Sequence, residues 1–165
     1  MRRGSVAVAG GGAVVLWEVE GMPGLVPARI AAVVLLGVAV FQVLLVLGMP
    51  WGSWTQGGAN PGVLPTGARV VAGVSCVLLV VMALSILGRA GSGPFASLPR
   101  GVVTFLAWAT TVYTGLGVLL NLATPSAVER ATFAPLTLVA FVCCVLVLRA
   151  TRRPRSGSGS QPTTP

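Results

Sequence analysis

Residues 70–87 read VVAGVSCVLLVVMALSIL, an unbroken apolar run that contains no charged side chain. Such a run approaches the roughly 20 residues that a helix needs to cross a hydrocarbon core about 30 Å thick. Similar runs occupy residues 28–48, 102–120 and 131–148, and the one charged residue in them is Arg29, next to the start of the first run. Together they predict an all-α, polytopic membrane protein folded as a four-helix bundle over residues 28–149.

The composition predicts the same class independently. Of the 165 residues, 55% are hydrophobic and 8% are charged, against roughly 25% charged residues in a soluble domain. The 11 basic residues are all arginine, and they lie at predicted helix ends and in the C-terminal tail rather than on one amphipathic face. We therefore expect membrane lipids, and no nucleic acid, as partners, and no soluble catalytic domain beside the bundle.

The arginines also predict the orientation, because basic segments stay in the cytoplasm. Most of them share one side of the predicted helices: Arg2, Arg3, Arg29, Arg89, Arg100, Arg149, Arg152, Arg153 and Arg155. Arg69 and Arg130 fall on the other side. Both termini and the connection between the second and third spans are predicted to be cytoplasmic, and residues 49–69 and 121–130 to face the exterior of a bacterial cell membrane.

The two ends of the chain differ from the bundle. Residues 1–27 contain an apolar stretch that is interrupted by three glycines and is too short to span, so we interpret them as a poorly defined extension or a start codon placed upstream of Met22. Residues 150–165 begin with a basic cluster and continue with Ser, Gly, Pro, Gln and Thr, a composition that is typical of a disordered tail.

The first exterior connection contains the sequence PWGSWTQGGANPGVLP at residues 50–65. Its glycines and prolines indicate tight turns rather than a plain connector. Trp51, Gly57 and Gly58 are therefore candidate functional residues. The tryptophans could simply anchor the interface, and the loop could form a lid over the bundle or a structured cap without a ligand.

The second exterior connection supplies three more candidates, Asn121, Ser126 and Glu129. Ser126 precedes Glu129 by three residues, the spacing of a capping box at the start of the fourth helix. Glu129 could instead act as a base, or pair with Arg69 and tie the second helix to the fourth. The capping and pairing roles are compatible, so Arg69 completes the candidate set.

No metal site or cofactor is predicted. The chain contains no histidine, and Cys76, Cys143 and Cys144 all fall inside predicted spans, where cysteine acts as a small packing residue. Gly115 and Gly117 belong to a stripe of small residues on the third helix, which favours close approach of a neighbouring helix.

These motifs carry a resemblance. The segments MPWG (49–52), GG (57–58), VLP (63–65) and NLATPS (121–126), with Arg69, Glu129, Arg130 and Pro135, resemble those of a family of small, functionally uncharacterised four-helix bacterial integral membrane proteins. The resemblance covers residues 29–148. It implies a four-span fold with the distinctive positions on the extracytoplasmic face, and it implies no activity.

Three classes of function follow. The first is a non-enzymatic membrane component that binds a lipid, a small ligand, a membrane protein partner or a second copy of the chain at its exterior face. The second is an enzyme acting on a lipid or quinone at the outer interface, although this face offers Glu129 no second titratable group for acid–base chemistry. The third is a transporter or channel subunit, which would have to oligomerise.

Overall fold

The computed structural model describes residues 24–152 and contains four long helices. They are α1 (Leu25–Val46), α2 (Thr66–Arg89), α3 (Arg100–Ala123) and α4 (Ala127–Ala150). Each is long and apolar enough to cross a membrane, so the prediction of a multi-pass, all-α bundle is confirmed. The expected N-terminal extension and most of the expected C-terminal tail lie outside the described residues.

Every helix is longer than the apolar run that predicted it. The second run ends at residue 87, whereas α2 includes Arg89 in its last turn, and α4 includes Arg149 in its own. Polar and charged residues mark the end of the hydrocarbon layer but do not stop a helix. At about 1.5 Å per residue, a 24-residue helix is roughly 36 Å long, which exceeds a hydrocarbon core of about 30 Å. An arginine near a helix C-terminus also interacts favourably with the helix dipole.

The helices form a ring in which each has two principal neighbours. Helices α1 and α2 pack most extensively, then α3 and α4, while α2 and α3 share the smallest interface of the ring. Small residues let the helices approach closely: Ala28 and Ala31 of α1, Ala107 of α3 and Cys144 of α4 are all buried in one cluster. Gly115 of α3 faces the ring of Phe141 of α4, as the small-residue stripe predicts.

The outer surface of the bundle is apolar. Val33 of α1 and Phe105 and Leu120 of α3 are each 70% exposed. In water such a surface would be unfavourable, but in a bilayer it contacts acyl chains.

The two ends of the bundle are different. At one end, Gly24 lies against the last turn of α4, since a Cβ on Gly24 would lie 3.4 Å from the Cβ of Ala150. The α2–α3 connection is at this end too, and we call it the arginine end because five arginines lie there: Arg29, Arg89, Arg100, Arg149 and Arg152. The opposite end, formed by residues 47–65 and 124–126, is called the capped end.

Candidate functional site

Residues 49–65 fold into a structured cap over one end of the bundle. Two short 3-10 helices, Gly52–Trp54 and Gln56–Gly58, make up its centre. Gln56, Gly57 and Gly58 follow each other in the left-handed region, with φ of 52°, 74° and 71°. Glycine adopts such angles without strain, which explains the Gly57–Gly58 pair that the sequence singled out.

Two hydrogen bonds fasten the cap to the start of α4. Ser126 Oγ donates to the carbonyl oxygen of Ser53 at 2.8 Å, and the amide of Gly57 donates to Glu129 Oε2 at 2.9 Å. Gly58 fits closely beside them, because a Cβ added to it would lie 3.2 Å from Ser126 Cβ. The structure therefore brings together four of the predicted residues, Gly57, Gly58, Ser126 and Glu129.

The predicted capping box is half formed. Ser126 Oγ accepts a hydrogen bond from the amide of Glu129 at 3.2 Å, as expected for the N-cap of α4. The Glu129 carboxylate does not return to the Ser126 amide; its Oε2 accepts instead from Thr124 Oγ1, at 2.8 Å, and from Gly57. The carboxylate thus joins the cap to the helix rather than closing the box.

The structure does not join Arg69 to Glu129. Both hydrogen bonds that the Glu129 carboxylate accepts within residues 24–152 come from Gly57 and Thr124. The Arg69 guanidinium lies beside Gly48, where an added Cβ would be 2.7 Å from its Nη2, and its buried Nε has no partner among the described residues. Neutral donors, rather than the possible Arg69 partner, satisfy the carboxylate.

Aromatic stacking and an amide connect the cap to the other helices. The ring of Trp51 stacks on Phe41 of α1, with centroids 6.0 Å apart and planes 6° apart. Phe41 in turn packs against Phe133 of α4, with ring centroids 5.1 Å apart. Gln56 Nε2 donates to the carbonyl oxygen of Ala68 in α2 at 3.1 Å. Trp51 is therefore a packing residue of the cap, while Trp54, which is 42% exposed, has the position of an interface anchor.

A cavity of about 480 Å³, called the cap cavity below, lies beneath the cap and reaches between the helices. All four helices line it, and Thr55 and Gln56 of the cap close its upper part. Its helical lining consists of Val38, Gln42, Ser75, Leu79, Tyr113, Leu116, Gly117, Leu120, Asn121, Glu129, Phe133 and Thr137. Its volume falls within the range of small-molecule sites in proteins.

The cap cavity extends deep into the bundle. Thr137 lies ten residues after Ala127, the first residue of α4. At about 1.5 Å per residue this separation corresponds to roughly 15 Å, half of a hydrocarbon core. Leu116 and Leu120, which are 55% and 70% exposed, place an opening of the cavity on the outer surface of α3.

The lining is amphipathic and leaves an acceptor unused. Gln42 Oε1 is buried without a hydrogen-bond partner among the described residues. Asn121, a predicted site residue, lines the same cavity, and its Nδ2 donates to the carbonyl oxygen of Gly117 at 2.8 Å. Apolar side chains form most of the remaining wall. Such a site offers hydrogen bonding at a few points and hydrophobic contact elsewhere. Residues 24–152 contain no cluster of side chains that could bind a metal ion.

Sequence reasoning missed Gln42, Ser75, Tyr113 and Thr137 as site residues. Each is a single polar residue in an apolar span, and such residues often serve only packing. Their positions along the helices could have identified them, because Gln42 and Ser75 both lie in the half of their helix that is nearest the capped end.

A second, larger groove of about 640 Å³ lies on the outer surface between α1 and α4. Val33, Gly37, Trp54 and Leu136 are among its lining residues, and the lining is almost entirely apolar. This groove has room for an acyl chain but few groups that could form a hydrogen bond. The cap cavity is therefore the better candidate site.

Comparison of the chain with protein-family models, with curated proteins and with solved structures finds no match.

Proposed function

We propose that the protein is a non-enzymatic membrane component that binds an amphipathic small molecule, such as a membrane lipid or a lipid-soluble ligand, in the cap cavity. The observation that carries the proposal is the unpartnered Gln42 Oε1 inside an amphipathic cavity. A buried acceptor without a donor costs about 1–3 kcal/mol. A ligand with a hydroxyl or amine group would supply that donor, and its hydrocarbon part would occupy the apolar wall.

The proposed location is the cytoplasmic membrane of a bacterium, with the capped end outside. The distribution of arginine supports this orientation, because Arg69 and Arg130 are the arginines of the capped end in residues 24–152, against five at the arginine end. A ligand would then enter from the outer leaflet, through the opening beside α3.

The enzyme and transporter alternatives have less support. Glu129 Oε2 already accepts two hydrogen bonds, one of which fastens the cap, and no His, Asp, Lys or Cys lines the cap cavity with it. Tyr113 is the other titratable side chain of that lining, and it lies ten residues, roughly 15 Å, before the capped end of α3, too deep to exchange a proton directly with Glu129 at the start of α4. Glu129 is also the sole charged side chain in that lining, whereas ion-coupled transport normally uses several ionisable residues at membrane depth.

Native mass spectrometry of the protein extracted with its lipids in mild detergent tests the proposal. Gly117→Leu would fill the cap cavity, and Gly37→Leu is the matched control because a Cβ at Gly37 meets nothing within 4 Å and Gly37 lines the outer groove. We expect wild type and Gly37→Leu to retain a bound amphiphile and Gly117→Leu to lose it. The reverse pattern, or no retained molecule in wild type, would overturn the proposal.

Gln42→Leu separates binding from folding. It removes the unpartnered acceptor at nearly constant volume, so the ligand-free bundle should melt at the same temperature as wild type or higher. Retention of the ligand should fall about five-fold, the equivalent of one hydrogen bond of about 1 kcal/mol. If Gln42→Leu binds the ligand as well as wild type does, Gln42 has no part in recognition, and the proposed hydrogen bond between the ligand and Gln42 is wrong.

A further inference from the structure

A separate cavity of about 440 Å³, called the arginine cavity below, lies at the arginine end of the bundle. The ends of α2, α3 and α4 surround it. Its lining residues are Arg89, Arg100, Thr104, Trp108, Leu148, Thr151 and Arg152. It shares no residue with the cap cavity, so it does not depend on the function proposed for that cavity.

Arg89 is held in place with part of its guanidinium unused. Its Nη2 donates to the carbonyl oxygen of Thr151 at 2.8 Å, which ties the end of α2 to the end of α4. Its Nε is buried and has no hydrogen-bond partner among the described residues. A buried donor without an acceptor is unfavourable, so this position is suited to an additional acceptor.

The charge of the arginine cavity is not balanced by the described chain. Arg89, Arg100 and Arg152 line it together, and Glu129, the only acidic residue in residues 24–152, lies at the opposite end of the bundle. Arg100 and Arg152 are exposed, so their side chains are free to turn toward a ligand. Three guanidinium groups around one cavity form a strong site for an anion.

We propose that the arginine cavity binds a phosphate-bearing anionic group. The planar guanidinium matches two phosphate oxygens at once, and such paired hydrogen bonds to a charged acceptor are stronger than neutral ones. The residues Arg89, Arg100 and Arg152 would hold the phosphate.

The position of the cavity favours the headgroup of an anionic phospholipid as the source of the phosphate. Arg89 and Arg100 lie in the terminal turns of 24-residue helices, and because such a helix is longer than a hydrocarbon core of about 30 Å, its terminal turns reach the level of the lipid headgroups. Trp108, two turns further along α3, is 46% exposed and provides an apolar surface for an acyl chain. Basic pockets between transmembrane helices bind anionic headgroups in this way.

The test measures lipid binding by native mass spectrometry with phosphatidylglycerol, phosphatidylcholine or inorganic phosphate. The double variant Arg100→Gln with Arg152→Gln removes two charges from the cavity. The control, Arg29→Gln with Arg149→Gln, removes two exposed charges from the same end outside the cavity lining. Each removed cavity arginine should weaken phosphatidylglycerol binding about five-fold, and the control should bind like wild type.

Each remaining outcome is decisive. Equal losses in both double variants would show a diffuse charge effect and overturn the site, as would equal binding of phosphatidylglycerol and phosphatidylcholine. Displacement of the lipid by millimolar inorganic phosphate would keep the site but make free phosphate its ligand. Thermal melting without lipid checks folding, and Arg100→Lys, which keeps the charge but loses the planar fork, should give an intermediate affinity.

Discussion

Glu129 joins parts of the chain that are far apart in sequence. Its Oε2 accepts a hydrogen bond from the amide of Gly57, 72 residues earlier, as well as one from Thr124. Ser126 makes a parallel connection to Ser53. The start of α4 therefore serves as the attachment point of the cap, and the stability of the cap depends on a few polar atoms.

Glu129→Ala should destabilise the protein by about 1.5–3 kcal/mol, since it removes a charged acceptor from two donors. Glu129→Gln should cost less, because its amide oxygen still accepts. Thermal melting in detergent measures both variants.

The exchange of Arg69→Glu with Glu129→Arg distinguishes this arrangement from a direct ion pair. An arginine at position 129 cannot accept from the Gly57 amide, so the double variant should be no more stable than Glu129→Ala. Substantial recovery of the melting temperature would show that charge attraction between the two positions stabilises the bundle, contrary to the contacts seen here.

Gly52→Ala should be among the most damaging small changes in the cap. A Cβ at Gly52 would lie 1.9 Å from the carbonyl oxygen of Asn60, and backbone atoms cannot yield as a side chain does. We expect a loss of about 1–3 kcal/mol in thermal or chemical unfolding. Gly67→Ala is the control: it meets nothing within 4 Å in α2, and it should be neutral or slightly stabilising. Equal effects of the two substitutions would contradict the close packing of the cap.

The sequence singled out three residues of the cap and two at its attachment to α4, but not the hydrogen bonds that join them. Gly57 and Gly58 stand out because consecutive glycines imply unusual backbone angles, and Ser126 and Glu129 because their spacing is that of a cap. The sequence offered Arg69 as a possible partner of Glu129 on charge alone, whereas Gly57 and Thr124 donate to its carboxylate. Which donors reach a carboxylate depends on how a loop folds back across the bundle, and local spacing contains no information about that.

The helices themselves were predictable because a bilayer imposes a strict condition on each segment. A spanning helix must satisfy its own backbone and present apolar side chains, so the run at residues 70–87 predicts α2 without any knowledge of its neighbours. The order of the helices around the ring was not predictable. It depends on how small residues such as Ala28 and Ala107 fit against neighbouring helices, a property of shape rather than of hydropathy.

At the α3–α4 interface, Gly115→Val should cost about 1–3 kcal/mol of stability. A Cβ at Gly115 would already lie 3.0 Å from Cε2 of Phe141, so a branched side chain would force the helices apart. Gly37→Val makes the same change on α1, where a Cβ meets nothing within 4 Å. Thermal melting should separate the two variants clearly. A stable Gly115→Val variant would mean that α3 and α4 tolerate a wider separation than the structure shows.

The two ends of the molecule differ in structure. Towards the arginine end, buried alanines bring the helices together and leave a cavity lined by charged guanidinium groups at the surface. At the capped end, a cavity remains between the four helices, and the cap covers it. An amphipathic interior site at one end and a basic site at the other give the bundle a direction across the membrane.

That direction can be measured by labelling with a membrane-impermeant maleimide in intact bacterial cells. Ala59 lies in the cap and Ala96 in the α2–α3 connection, and both are exposed, so Ala59→Cys and Ala96→Cys are matched variants at opposite ends. The native cysteines Cys76, Cys143 and Cys144 lie inside helices, and the wild-type protein measures their background. Because arginine-rich segments stay in the cytoplasm, Ala59→Cys should react in intact cells and Ala96→Cys only after permeabilisation. The opposite pattern would place the cap cavity toward the cytoplasm and make the inner leaflet the source of its ligand.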